Sequence, residues 1–235
     1  MAGFPRAPRL RETFLDLLFP RWCLGCGREG SFICSGCSRA LPYITPPVCP
    51  RCGMPQPDAT FCPTCYGREF ATDGIRSALR FEGLVRQAVH QFKYRNLRAM
   101  SQDLAGLMGD YLTVNHLPGD VLVPVPLHPK RLRERGYNQS ALLAEELGQL
   151  TGLPVNSHSL SRTRHTPPQA RTGSLDERRA NIRDVFSCRD RSLGGRRVIL
   201  VDDVTTSGAT LEACAGALKA AGAVSVWGLT LAREV

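Results

Sequence analysis

Four short stretches are almost wholly apolar: "SALRF" (77–81), "DVLVPVPL" (120–127), "RRVILV" (196–201) and "VSVWGLTLA" (224–232). Runs of this length, rich in β-branched residues and bounded by polar or Gly-containing segments, predict strands buried on both faces. Between them the spacing changes to a helical period. In "LVRQAVHQFKY" (84–94) Leu84, Val85, Ala88 and Phe92 share a face, and in "ATLEACAGALKAAG" (209–222) Leu211, Cys214, Ala215 and Leu218 do. "NQSALLAEELGQLTG" (138–152) reads as a third helix, closed by Gly152. "LPVNSHSL" (153–160) is expected to be a further strand and "HPKRLRERG" (128–136) a basic loop. The stretch "SRTRHTPPQARTGSLDERRAN" (161–181) has no clean period and reads as a mobile loop leading to a partly helical return. Strands alternating with helices predict an α/β fold with a doubly wound parallel sheet, in which ligands sit beyond the carboxyl ends of the strands.

The front of the chain follows neither period. Eight of the ten cysteines lie between Cys23 and Cys65, in a segment rich in Gly and Pro that lacks long apolar runs and cannot bury a core unaided. A boundary is therefore expected near 67–73, giving a small module over 1–70 and an α/β domain over 71–235. "MAGFPRAPRLRETFLDLLFPRWC" reads as a short amphipathic helix, since Glu12 and Asp16 break its apolar run. No stretch reaches the roughly 18 apolar residues of a membrane span, so a soluble, cytoplasmic protein is expected. In a reducing compartment the cysteines would be thiols or metal ligands.

Those eight cysteines form four CxxC knuckles: Cys23/Cys26, Cys34/Cys37, Cys49/Cys52 and Cys62/Cys65. Eight thiolates suit two tetrahedral zinc sites, which would supply folding free energy that burial cannot. Thioredoxin-like redox pairs fit less well, because no knuckle sits at a strand-to-helix junction, and an iron–sulfur cluster is the other alternative. With every coordination position filled by sulfur, the zinc is expected to be structural. Consecutive knuckles are expected to pair, and a crossed arrangement stays open. The balance of 30 Lys+Arg against 21 Asp+Glu gives a formal charge of +9, which favours anionic partners such as phosphorylated metabolites or nucleic acid.

The chemistry concentrates in "VILVDDVTTSGAT" (198–210). Asp202 and Asp203 stand where a buried strand leaves the sheet, and Thr205, Thr206, Ser207, Gly208, Ala209 and Thr210 lead into a helix. Small hydroxyls and amides at a helix start make an anion cradle, and carboxylates accept hydrogen bonds from vicinal hydroxyls. Together they suit a sugar phosphate. An aspartate pair can also merely cap a turn. The magnesium-holding acids of an ATPase would require GxxxxGK[ST], which is absent from the sequence. The literal GxGxxG at Gly25, Gly27 and Gly30 overlaps a cysteine knuckle and bridges no strand to a helix.

This stretch resembles the phosphoribosyl pyrophosphate (PRPP) motif of type I phosphoribosyltransferases, with Ser207 where that motif more often has threonine. "PVPLHPKRLRERGYNQSALLAEEL" (124–147), "SRTRHTPPQARTGSLDERRANIRDVF" (161–186), "FKYRNLRAMSQDLA" (92–105) and the cysteine-rich front resemble the ComF family. The resemblance implies a phosphoribosyltransferase-type sheet preceded by a double zinc ribbon, with consecutive knuckles paired. It implies PRPP with magnesium as ligand, transfer of a phosphoribosyl group to an unidentified acceptor, and a link to DNA uptake in natural transformation. Asp202 and Asp203 would then hold the ribose and residues 205–210 the 5-phosphate. Lys130, Arg131 and Arg135 would face the leaving pyrophosphate, where growing negative charge rewards fixed cations. Lys93 and Tyr94 are further candidates for reaching the site. Gln169, Arg178, Arg179 and Asn181 would belong to a hood that excludes water. His128 is the one histidine singled out for a test. The alternative function is a non-catalytic PRPP sensor or single-stranded-DNA-binding accessory, gripping DNA through Arg21, Trp22, Arg28, Arg39 and Arg51.

Overall fold

The computed structural model describes residues 20–94, 97–163 and 185–235. The apolar runs become four parallel strands, β1 (Gly74–Arg80), β2 (Val121–Pro124), β5 (Arg197–Thr205) and β6 (Ser225–Arg233), in the order β1-β6-β5-β2. A separate antiparallel pair, β3 (Leu160–Arg162) with β4 (Phe186–Cys188), stands off this sheet. The helices are α1 (Ser35–Ser38), α2 (Gly83–Tyr94), α3 (Met100–Val114), α4 (Pro129–Arg135), α5 (Gln139–Thr151) and α6 (Ala209–Ala220). The amphipathic helix expected at the front of the chain lies almost wholly outside the described residues.

Strand alternation divides the core in two. Ile199, Val201, Leu229 and Leu231 join Val85 and Phe92 of α2, Leu104 and Met108 of α3, and Leu143 and Leu147 of α5. Val198, Leu200 and Val226 join Leu211, Cys214 and Leu218 of α6 together with Leu160 and Phe186 of the hairpin. Both sheet faces are thus covered, as an all-parallel sheet requires.

Each edge of this sheet is also occupied. Along β1 the cysteine-rich segment supplies partners: Ile75 N–H donates to the Arg51 carbonyl (2.7 Å), Ile44 N–H to Ala78 (2.9 Å) and Arg80 N–H to Pro42 (2.9 Å). On β2, Leu122 N–H donates to Pro154 and its carbonyl accepts from Asn156 N–H, both at 2.9 Å. Pairing of this kind blocks edge-to-edge association.

Three details differ from the sequence reading. "HPKRLRERG" is largely the helix α4, started by the His128 side chain accepting from Lys130 N–H and closed by left-handed Gly136. Pro129 at the first turn and a glycine just past the end override the loop reading. "LPVNSHSL" yields only a bridge of Val155 to Leu122 before β3 begins, because Asn156 turns the chain by accepting from His158 and Ser159 N–H. Helix α3 has no counterpart in the sequence reading. Its glycines and small residues weaken the periodic signal, yet Leu104, Leu107 and Met108 are buried. Among the described residues, no helix is long and apolar enough to cross a membrane.

Candidate functional site

The knuckles gather into two sets, Cys23/Cys26/Cys34/Cys37 and Cys49/Cys52/Cys62/Cys65, with the sulfurs of each set all within 4.8 Å of one another. Consecutive knuckles therefore pair. A tetrahedron with Zn–S bonds of about 2.3 Å has sulfur–sulfur edges of about 3.8 Å, and Cys26–Cys34 (3.6 Å) and Cys52–Cys62 (3.7 Å) match that edge. Backbone amides turn toward the sulfurs: Cys34 N–H donates to Cys23 Sγ and Cys62 N–H to Cys49 Sγ, each at 3.4 Å. Burial opposes ionisation of Cys23, but the N–H groups of Cys34, Cys26 and Gly25 outweigh it and bring the thiol down to about 6. Burial likewise opposes ionisation of Cys49, while the N–H groups of Cys62, Cys52 and Arg51 bring it to about 7. The neighbouring thiols answer in the opposite direction: the Cys23 sulfur pushes Cys37 up to about 12, and burial pushes Cys52 and Cys65 up. Each set thus crowds sulfurs whose shared charge a cation would neutralise, and the two four-cysteine clusters are the zinc sites of a double ribbon.

The second constellation lies at the carboxyl end of β5. The carboxylate of Asp202 accepts from the Ser140 hydroxyl at the start of α5 (2.8 Å) and from Asp203 N–H (2.9 Å). Asp203 is buried and its carboxylate meets the Lys93 ammonium at 2.9 Å. Desolvation, with the neighbouring Asp203 carboxylate adding to it, pushes the Asp202 carboxyl up to about 7 against the Ser140 hydroxyl and Lys93. Thr205 ends the strand buried, Thr206 and Ser207 are exposed, and Gly208 starts α6 with φ +78. The left-handed backbone favours glycine at this position, where a Cβ would also press on Ile75 Cδ1 of β1 at 2.9 Å. The Gly208 position offers no capping side chain to α6, and Ala209 N–H donates to the Ser207 hydroxyl oxygen (3.4 Å), a cluster of amide and hydroxyl at the helix start suited to an anion.

The basic residues sort differently. Arg135 is half-buried, lies 5.1 Å over the exposed Tyr94 ring and donates to Gln139 Oε1 (3.2 Å). Lys130 is exposed and Arg131 half-buried on α4. Arg162 of β3, which sequence reasoning missed, is the charge that Arg131 and Asp202 both act on: burial and then Arg131 lower its pKa, and Asp202 opposes them. Pairing of β3 with β4 sets its place, 5.5 Å over the Phe186 ring, and three-residue strands leave no readable period. His128 serves as the cap of α4. Gln169, Arg178, Arg179 and Asn181, with most of the stretch read as a loop around them, lie outside the described residues. Of the ribbon arginines, Arg28 and Arg39 are exposed. Arg21 donates to Gln102 (3.0 Å) and Arg51 to the Thr72 carbonyl (2.6 Å), so both are committed internally.

Residues 14–66 match the double zinc ribbon domain. Competence protein F of Haemophilus influenzae is 32% identical over 213 residues, spanning 85% of this chain and 90% of that protein. The chain belongs to the ComF family. Other ComF relatives include competence protein ComFC of Bacillus subtilis (31% identical; 86% of this chain, 84% of that protein). The DNA utilization protein YhgH of Escherichia coli is 31% identical over 88% of this chain and 92% of its own length. Among solved structures, the glutamine PRPP amidotransferase of B. subtilis aligns at 22% identity with a TM-score of 0.40, over 57% of this ComF protein and 26% of that chain. A purine phosphoribosyltransferase of Pyrococcus horikoshii aligns at 19% identity with a TM-score of 0.34, over 56% and 70% respectively.

Proposed function

We propose that this ComF protein binds PRPP and transfers its phosphoribosyl group, with residues 71–235 carrying the transfer site and residues 1–70 the zinc ribbons. The observation that carries the reading is the convergence of Asp202, Asp203 and the Gly208-started helix at one strand end. Ribose hydroxyls would donate to the two carboxylates, and the 5-phosphate would accept from amides and hydroxyls of Thr205, Thr206, Ser207, Gly208, Ala209 and Thr210. Lys93 neutralises Asp203 and keeps two adjacent carboxylates compatible in one site.

As the bond between the anomeric carbon and pyrophosphate breaks, positive charge grows on the sugar and negative charge on the leaving group. Asp202 and Asp203 face the sugar. Lys130, Arg131 and Arg135 of α4 follow the neighbouring strand β2 and are the cations for the leaving pyrophosphate, a role worth more in the transition state than before it. Among the described residues, the cysteine sets are the sole clusters of three or more potential metal ligands. Magnesium would therefore bind chiefly through substrate oxygens with one or two carboxylates, supplying charge neutralisation at the pyrophosphate. Titration calorimetry with PRPP and magnesium tests the reading. Wild type should bind, and Asp202→Asn with Asp203→Asn should abolish binding; equal affinity in the double variant would refute it.

A second reading, single-stranded DNA binding, has its own support in Trp22, Phe61 and Tyr66, which are 54%, 50% and 78% exposed on the ribbons, a module that also exposes Arg28, Arg39 and Arg68. Exposed aromatics beside cations stack bases and hold phosphates. The names of the competence relatives agree with it. Retention on single-stranded DNA should then fall steeply with salt, and no retention even at low salt would dismiss it.

A further inference from the structure

The last residue of β6, Arg233, is 2% exposed and lies in register with Thr205, the last residue of β5. Its guanidinium fork divides between two places that the chain keeps far apart. Nη1 donates to the carbonyl of Cys52, a ligand in the second zinc site, and Nη2 donates to the carbonyl of Thr206 (3.4 Å). Glu234 N–H takes the preceding carbonyl, Thr205 (3.0 Å), so the end of β6 fixes two consecutive peptide groups at the entrance of the 205–210 loop.

We propose that Arg233 is the positioning residue of the phosphate loop, bracing it against the second zinc centre so that metal at Cys49/Cys52/Cys62/Cys65 and an anion at residues 205–210 favour each other. This rests on the reading of that loop as a phosphate cradle.

Three further observations bear on it. A cavity of about 300 Å³ separates the two walls, with Cys52, Cys62 and Cys65 on one side and Thr206 and Ser207 on the other. The space lies between ribbon and loop, and Arg233 bonds to both. Second, the buried Arg233 guanidinium lines the same cavity as three ligands of the second set, Cys52, Cys62 and Cys65. A zinc tetrathiolate carries two net negative charges, so the loaded second site supplies a counter-charge beside that cation. Third, Arg233 Nε is buried without a hydrogen-bond partner. A buried donor left unpaired is unfavourable, yet the two remaining nitrogens are spent on bridging ribbon to loop. The first cysteine set is tied elsewhere: its neighbours Arg21 and Phe32 bond to Gln102 and Asp103 on α3.

Coupling of this kind is reciprocal, because what zinc does for the loop an occupied loop must do for zinc. The test uses the full zinc-loaded chain with Arg233→Met and Arg233→Lys. Zinc transfer to a chelating dye is followed together with mass-spectrometric mapping of which cysteines become alkylated, and amide exchange is followed at residues 205–210. Arg233→Met should release second-site zinc roughly tenfold faster, within the usual span of coupling between sites, with first-site release unchanged and faster exchange in the loop. Arg233→Lys keeps the charge without the planar fork. It should retain second-site zinc better than the methionine variant and still loosen the loop. In wild type, PRPP with magnesium should slow second-site release and spare the first.

Unchanged zinc release and loop exchange in both variants would overturn the proposal, as would equal acceleration at the two sites, which would mark Arg233 as general packing. Saturable PRPP binding that leaves second-site release unaltered would overturn the coupling. If wild type binds no PRPP at all, the functional reading fails instead, while zinc release and loop exchange still decide the role of Arg233.

Discussion

Cys26–Gly27 and Cys52–Gly53 hold the same place in their knuckles, but their surroundings differ. Cys26 is exposed, and the first set rests on the helical side through Ile33 in the main core and Phe32 N–H bonded to Asp103 (2.7 Å). In the second set Cys49, Cys62 and Cys65 are 0%, 4% and 5% exposed. They cluster with Met54 and Phe70 beside the edge of β1. The comparison teaches that one motif serves two ends. The first ribbon is a buttress on α3, and the second forms a wall of the candidate site. Sequence repeats advertise the metal, whereas the neighbours decide what the metal supports.

Metal loss is the largest way to break the comparison. Structural zinc in small ribbons supplies about 10–16 kcal/mol of apparent binding free energy, comparable to or above the whole stability of a domain. Cys26→Ser and Cys49→Ser should each lower zinc from two ions per chain to one. Cys49→Ser should also free the Ile75 amide, bonded to Arg51 beside the second set, whereas Cys26→Ser should spare it. Amide exchange at residues 74–80 reads the difference, and equal exchange in both variants would erase the distinction between buttress and wall.

A sharper pair lies one residue on. Gly27 and Gly53 have φ +69 and +72, but a Cβ at Gly27 meets nothing within 4 Å while one at Gly53 would lie 2.5 Å from the Ile75 carbonyl oxygen. Gly27→Ala should cost only the left-handed strain, about 1–2 kcal/mol. Gly53→Ala adds overpacking against backbone, about 1–3 kcal/mol more. Thermal melts of the two variants should separate by several degrees. On the buttress side, Asp103→Ala strands the Phe32 N–H and should cost about 1–3 kcal/mol, with zinc release accelerated at the first site alone.

What could be read in the sequence follows the same division. The eight cysteines, the strands around Val198–Val201 and Val226–Leu231, and the acid-and-hydroxyl loop are local patterns, and each is found where its spacing puts it. Contacts made by distant residues left no such mark. The Lys93–Asp203 pair joins positions 110 residues apart, and although Lys93 was a candidate, its partner followed only from α2 packing over the sheet. Ser140 looked like an ordinary helix residue until β5 brought Asp202 against it. Arg233 ended a strand with nothing to distinguish it from a solvated arginine, and its burial arises because the second ribbon covers that corner. Even α4 hid, since its seven residues bury no side chain and so carry no apolar stripe.

The smallest expected effect probes the far side of the loop from the ribbons. Asp202 has its carboxyl raised to about 7 by burial and the Asp203 charge, against about 4 in an unfolded chain. The folded state therefore binds this proton more tightly. The stabilisation is complete below about pH 4 and is lost as pH rises toward 7, after which the slope vanishes. Asp202→Asn cannot ionise, and its side-chain oxygen can still accept from Ser140. Melting temperatures of wild type minus variant should therefore fall by a few degrees between about pH 5 and 7.5 and then level. Taking the difference cancels the titration of the zinc ligands, which both proteins share. Zinc retention should be equal in the two proteins at both sites. A flat difference curve would mean that Asp202 is solvated as an ordinary carboxylate, and a variant that lost second-site zinc would extend the wall's influence across the loop to the acids themselves.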